Sequence, residues 1–574
     1  MSPAIRKIKM ENTISQSDPA GTRDSAPLYS RAYSLVNSHS KSHAVIAAFL
    51  LLLLLTGLGY TSYLTGTVPQ AVFKIDSFYL LNMGDEILNG QNPVMDHIVT
   101  GPQIFQPWIT ALGIWLGGGT SKGLSYGPLA LFPFLVLASW YISISRLGLM
   151  SAALVSMLIS LVPLAHFGVD LWMLGYREHD AYSYAMQYNK IGWSFLCLAF
   201  LLHIFPRKRA AMTRAEPEYV IGGLLFGCMI FMKANFAFTG ASVVVIGAIL
   251  RKQWGHLFYT FGITAIAIVV ASCFGFSYLD FINAYLRNFN ETSGYVGGHA
   301  VYLTKIRDVV GEVRTSFPYV TLVLIVLFQS LLLNNRTRKE FWLSRLGFDD
   351  RIWTGIIGLP IGIGVAALNA GDARIFLIFL AIVCSDPGES LRSDGPVDRS
   401  ALRKRHRLLI QALVAVVCLT LVGNIFLHIH SAYHNKMALR KGTEQAFLVN
   451  TKRLQDMYFL DSRKNIDPKS FDVAEIWGKW LEGRNIHLVI SDAINIMRGH
   501  IKPETRIFPF TPLDVVSFPL GLPRPLHAPT WTVDSGVANG DDSPKYDPNV
   551  ILAHANTVLV PNVPLNAPPP LSLG

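Results

Sequence analysis

The feature that most limits how this chain can fold is a series of long apolar runs. The first, residues 44–64, has leucine at every position from 50 to 55. At 1.5 Å rise per residue it can cross a hydrocarbon layer roughly 30 Å thick, where only a helix satisfies its own backbone. Ten more runs follow, at about 124–145, 149–169, 191–205, 219–232, 236–250, 257–276, 316–334, 352–368, 373–385 and 407–428. The expected fold is an α-helical polytopic membrane protein with about eleven transmembrane helices. Composition agrees. Charged residues are 15% of 574, against about 25% in a soluble domain, and mean hydropathy is +0.36. The five cysteines (Cys197, Cys228, Cys273, Cys384, Cys418) lie within or at the ends of the runs, which excludes a disulfide scaffold.

Charge sets the orientation. The segment 103–117 is apolar but short and broken by Pro107. If it lies on the outer surface and the N-tail is inside, the inner segments carry 23 Lys+Arg and the outer loops 10. Cytoplasmic loops are the ones that accumulate Lys and Arg. If 103–117 crossed, the basic clusters 207–209 and 403–407 would face outward. The net charge of +11 is thus mainly an inner-loop signal and gives no support to a nucleic-acid partner. Residues 1–43 read as a disordered cytoplasmic N-tail, 44–428 as the membrane domain with a first outer loop at 65–123 bearing surface helices, and 429–574 as an extracytoplasmic domain.

That last segment reads as a small α/β domain. Asp467 and Pro468 open a helix that Gly483 closes, 486–490 is a short strand ending near Asp492, and 506–510 and 557–561 add strands before a Pro-rich end. Asp492 is a turn cap or a binding residue.

No Asp, Glu, Lys or Arg falls in the middle of an apolar run. That argues against an ion-coupled transporter or a channel with charged rings. No Walker loop, CxxC or His/Cys metal spacing is present. Acids gather instead in two outer loops. In the first, Asp76 starts a helix that Gly90 ends, Leu80, Met83, Gly84 and Ile87 form one stripe, and Asp96 and His97 follow. The second carries Glu178, His179 and Asp180, then Tyr188, Asn189 and Lys190. Asp76 is either a helix N-cap or a carboxylate poised above the outer leaflet as a general base. The other acids and their histidines are solvated loop charge or substrate contacts.

The order of a long first span, Asp76, a surface helix, Gly90-x-x-Pro93, Asp96 and Gly101-Pro102 resembles the GT-C superfamily of polytopic glycosyltransferases, such as protein O-mannosyltransferases and lipid A aminoarabinose transferases. Lys233-x-Asn235 resembles an element at the outer end of a span in that superfamily, and Arg374 resembles its basic residue before a late span. The resemblance covers roughly residues 44–385. It implies a sugar donor on a polyprenyl-phosphate carrier, a cell-envelope glycan or lipid acceptor, Asp76 as the catalytic acid residue, and Lys233 and Arg374 at the donor phosphate. Ser77 stands where many members carry a second acid, which favours metal-independent chemistry without a cofactor. The location implied is a bacterial inner membrane. Two other functions remain open: a polysaccharide polymerase or ligase using outer-loop Arg and His, and a non-enzymatic transporter or scaffold for lipid-linked sugars.

Overall fold

The computed structural model describes residues 68–70, 76–92, 96, 104–164, 184, 187–205, 207, 216–252, 254–273, 278–279, 281–283, 286, 309–311, 313–314, 316–335, 350–367, 374–385, 412, 446–449, 451–455, 457–460, 486–502, 504–509, 514–526, 528, 549 and 552–559. The chain divides into two compact units, Met1–Leu50 and Leu51–Gly574, and every described residue belongs to the second. The N-tail, the run 44–64, the run 407–428 apart from residue 412, the helix expected at 467–483 and the Pro-rich end lie outside the described residues.

Nine of the eleven apolar runs fall wholly or mostly on described residues, and their described parts are helical. Two further helices precede them: α1 (Asp76–Leu88) and α2 (Phe105–Leu116). The nine are α3 (Gly123–Ile144), α4 (Leu149–Leu161), α5 (Gln187–Ile204), α6 (Glu216–Met232), α7 (Ala234–Arg251), α8 (Trp254–Cys273), α9 (Phe317–Asn335), α10 (Asp350–Val365) and α11 (Arg374–Ser385). Three of them, α3, α7 and α8, are long and apolar enough to cross a membrane. These helices also turn large apolar side chains outward: Leu137 is 70% exposed, Phe238 75% and Phe258 73%. A band of that kind suits hydrocarbon better than water.

The helices of the bundle are tied at one end by charge. Arg146, just past α3, donates to both carboxylate oxygens of Glu218 on α6, at 2.9 and 2.7 Å. It also donates to the carbonyls of Phe205 (3.2 Å) and Leu202 (3.3 Å) at the end of α5. Both ionic side chains are buried. Loop charges counted in the sequence only for their sign therefore fix three helices to one another.

At the other end, α1 and α2 pack together and against the start of α3. A Cβ on Gly113 of α2 would lie 2.1 Å from the Gly123 carbonyl oxygen and 2.5 Å from the Gly127 nitrogen, so only glycine allows this approach. Gly113→Ala is expected to destabilise the protein by roughly 1–3 kcal/mol, read as a lower melting temperature in detergent.

The C-terminal segment joins this end and shares one core with α1. Its elements are β2 (Ala446–Leu448), β3 (Met457–Leu460), α12 (Ile486–Arg498), β4 (Ile507–Pro509), α13 (Ser517–Leu520) and β5 (Thr557–Leu559). Strand β1 (Val68–Gln70), from the first loop, pairs in parallel with β3, and β2 pairs with β3 antiparallel. β4 and β5 pair in parallel, on the runs expected to be strands. Phe78, Leu81 and Met83 are buried together with Leu454, Met457, Ile490, Ile494 and Phe518.

One expectation is overturned here. Residues 486–490 are not a strand but the first turn of α12, and Asp492 is exposed on that helix rather than at a strand end. Ile490, Ile494 and Met497 are the buried side, spaced four and three apart. A five-residue apolar window is too short to separate this period from a buried strand. The stripe Leu80, Met83 and Gly84 also differs from an open surface face. Gly84 lies against Thr110, Ala111 and Ile114 of α2, while the polar side, with Asn82, Asp85 and Glu86, is buried as well.

Candidate functional site

The site is built around the first turns of three helices that meet at Trp193 on α5. Its indole is fully buried, 5.8 Å from the Phe236 ring of α7 and 5.6 Å from the Phe376 ring of α11. Trp193 is the seventh residue of its helix, and Phe236 and Phe376 are the third of theirs. The three helix N-termini, each carrying about half a positive charge, therefore open at the same end of the bundle. α2 reaches that end too: Ile104 N–H donates to the Phe231 carbonyl at 2.9 Å, and the rings of Phe105 and Phe195 lie 5.5 Å apart.

Lys233 sits in the break between α6 and α7, with extended backbone (φ −165°, ψ 143°). Its ammonium lies over the Tyr188 ring of α5, 5.2 Å from the centroid. The aromatic face holds the cation at the start of α7. Arg374 opens α11 at the same end, but the helix period puts it about half a turn from Phe376, the residue that faces α5. So Lys233 joins the first turn of α5, and Arg374 stands on another side of α11.

The remaining residues singled out in the sequence fare differently. Asp76 is the first residue of α1, and its side chain lies outside the described residues. Asp96 accepts from the Asn92 N–H at 2.7 Å, a local turn contact. His97, Glu178, His179 and Asp180 lie outside the described residues. Among the described residues, no three His, Cys, Asp or Glu side chains gather as a metal would require.

Two groups gain from the structure a meaning that sequence reasoning did not assign them. One is a set of neutral amides at this end: Asn189 is 3% exposed with neither amide atom hydrogen-bonded, and the Gln106 and Gln187 side-chain oxygens are buried without a donor. The only signal was a polar first turn ahead of an apolar run.

The other is the lock between α1 and the C-terminal segment. Arg453 pairs with both Asp85 carboxylate oxygens, donates to the Gly119 carbonyl at 2.9 Å, and lies 4.2 Å over the Phe518 ring. Arg524 donates to Glu86 at 2.7 Å and lies 3.4 Å from Asp514, which caps α13 through the Val516 and Ser517 N–H groups. Burial pushes the Glu86 carboxyl up to about 7, outweighing its pairing with Arg524. The guanidinium is shared between the two carboxylates.

Comparisons with protein families, with characterised proteins and with solved structures return no match to this chain.

Proposed function

We propose that this protein is an integral membrane glycosyltransferase that moves a sugar from a polyprenyl-phosphate donor to a cell-envelope glycan or lipid at the outer face of a bacterial inner membrane. The observation that carries the reading is Lys233, seated on Tyr188 between the N-termini of α5 and α7, at the bundle end where α11 also starts and that α2 also reaches. That end has the electrostatics for a phosphate leaving group. The resemblance to the GT-C superfamily supplies the donor class and the role of Asp76.

Topology supports the same reading. β1 and β3 are hydrogen-bonded, so residues 70 and 457 lie on one side of any membrane the chain spans. An even number of crossings must separate them. Ten crossings satisfy this, with 103–117 left at the surface. An eleventh, through 103–117, would put the paired strands on opposite sides.

In the proposed reaction Asp76 accepts the proton of the acceptor hydroxyl as its oxygen attacks the anomeric carbon. The bond from that carbon to the phosphate oxygen breaks, its electron pair leaves with the polyprenyl phosphate, and the centre inverts. Lys233 and the helix N-termini stabilise the charge that grows on the leaving phosphate. Arg374 opens a neighbouring helix and adds positive charge to the same end.

The test is Asp76→Asn in native membranes, assayed with labelled polyprenyl-phosphate sugars. Loss of a general base is expected to lower transfer by about 10²–10⁴-fold. Wild-type rates in an inserted, folded variant sink the proposed base. Reporter fusions after Phe205 and Ser431 are expected to read cytoplasm and exterior respectively.

A further inference from the structure

A buried amide with no hydrogen-bond partner is costly, and Asn189 is one. Its side chain is 3% exposed, and neither its nitrogen nor its oxygen finds a partner. Its direction follows from the contacts of its own helix. Trp193 and Phe200 of α5 face Phe376 of α11, while the Phe236 ring of α7 fills the space at Gly192. At about 100° per residue, Asn189 lies on the Trp193 side, turned towards α7. It therefore points into the gap between the first turns of α7 and α11, one turn closer to the outer end than Trp193.

We infer that Asn189 binds the polar head of the substrate in this gap, its amide N–H donating to a phosphate oxygen and its carbonyl oxygen accepting from a hydroxyl. Three helix N-termini favour an anion there, and Lys233 stands on the neighbouring face of α5, over Tyr188. An amide adds what a cation lacks, because it donates and accepts at once. The ligand class is a hydroxylated headgroup bearing a phosphate. The site itself rests on the geometry, and naming its ligand a lipid-linked sugar phosphate rests on the proposed function.

Asn189→Leu separates a binding role from a packing one. A partnerless buried amide destabilises a fold, so leucine of similar size leaves the ligand-free melting temperature equal or higher. In full-length protein in detergent, dodecyl phosphate is expected to raise the melting temperature of wild type and not of Asn189→Leu. Inorganic phosphate and a phosphate-free alkyl glycoside serve as the other arms. A shift with inorganic phosphate alone would mean that the site takes a free anion, which overturns the headgroup assignment. A loss of about 10- to 100-fold in affinity for dodecyl phosphate is expected, the range for a hydrogen bond to a charged group. No shift in wild type, or an equal shift in Asn189→Leu, overturns the inference. Sugar transfer with an unchanged KM in Asn189→Leu also overturns it and leaves the glycosyltransferase reading standing. Binding lost in Asn189→Leu, with no transfer from any donor by wild type, does the reverse.

Discussion

Membranes expressing Arg146→Ala should contain little folded protein. The Arg146 guanidinium is the closest counter-charge to Glu218, and both side chains are buried, at 3% and 4% exposure. Removing it takes away the nearest cation, while the Ser145 hydroxyl lies at 3.2 Å and Arg207 at 3.8 Å. It also strips a donor from the Phe205 and Leu202 carbonyls. Breaking a buried pair from one side typically costs about 3–5 kcal/mol, a large part of the stability of most domains. Thermal melting and protease resistance in detergent report the loss. The double variant Arg146→Met with Glu218→Leu removes both charges and should recover most of it, because the penalty lies in the stranded carboxylate. If Arg146→Ala melts with wild type, the pair does not hold the bundle as argued.

The second large effect is at Arg524. It is the group that Glu86 and Asp514 share, and all three side chains are almost fully buried. Arg524→Ala leaves two carboxylates together in the core between α1 and the C-terminal segment, again at about 3–5 kcal/mol. Hydrogen exchange should speed up over residues 76–88 and 514–526 and leave α5 to α7 protected. Uniform exchange across both regions would contradict a local lock.

The same contact should depend on pH, with a sign set by Glu86. Its carboxyl is ordinarily near 4.5 and is pushed up to about 7 in the folded protein, by burial above all. Below pH 4.5 it is neutral folded or unfolded, and its contribution is complete. As pH rises towards 7 the unfolded chain gives up the proton while the folded chain keeps it, so stability falls. The loss is on the order of 3 kcal/mol once the pH is above 7. Glu86→Gln keeps an acceptor for Arg524 and should flatten this slope, melting above wild type at pH 8. A wild-type slope retained in Glu86→Gln would assign the titration to another group.

Much of the bundle was legible because a helix in hydrocarbon announces itself by length and apolarity. Each apolar run that falls on described residues is helical there, and residues 105–116 are a separate short helix. The break at Lys233 was marked by polar residues between two apolar runs. Residues 486–490 misled because five apolar positions fit two periods. Asn189 was visible with its neighbours, but nothing in the local pattern assigned it a role. A neutral amide in a first turn looks like any helix start, and its meaning comes from what fails to reach it.

By itself, then, the sequence determined which of the described segments are apolar helices, since that depends on composition along the chain. It also put Asp76 at a helix start. Only the tertiary structure decided that the first loop and the C-terminal segment share a sheet, a core and two buried ion-paired clusters. Val68 and Met457 are strand partners separated by most of the chain, and Asp85 and Glu86 meet arginines more than 360 residues away. Nothing in local pattern encodes such a partner. A charge next to an apolar stripe looks solvated until a distant segment closes over it, and burial then turns an ordinary surface acid into the group on which the contact depends.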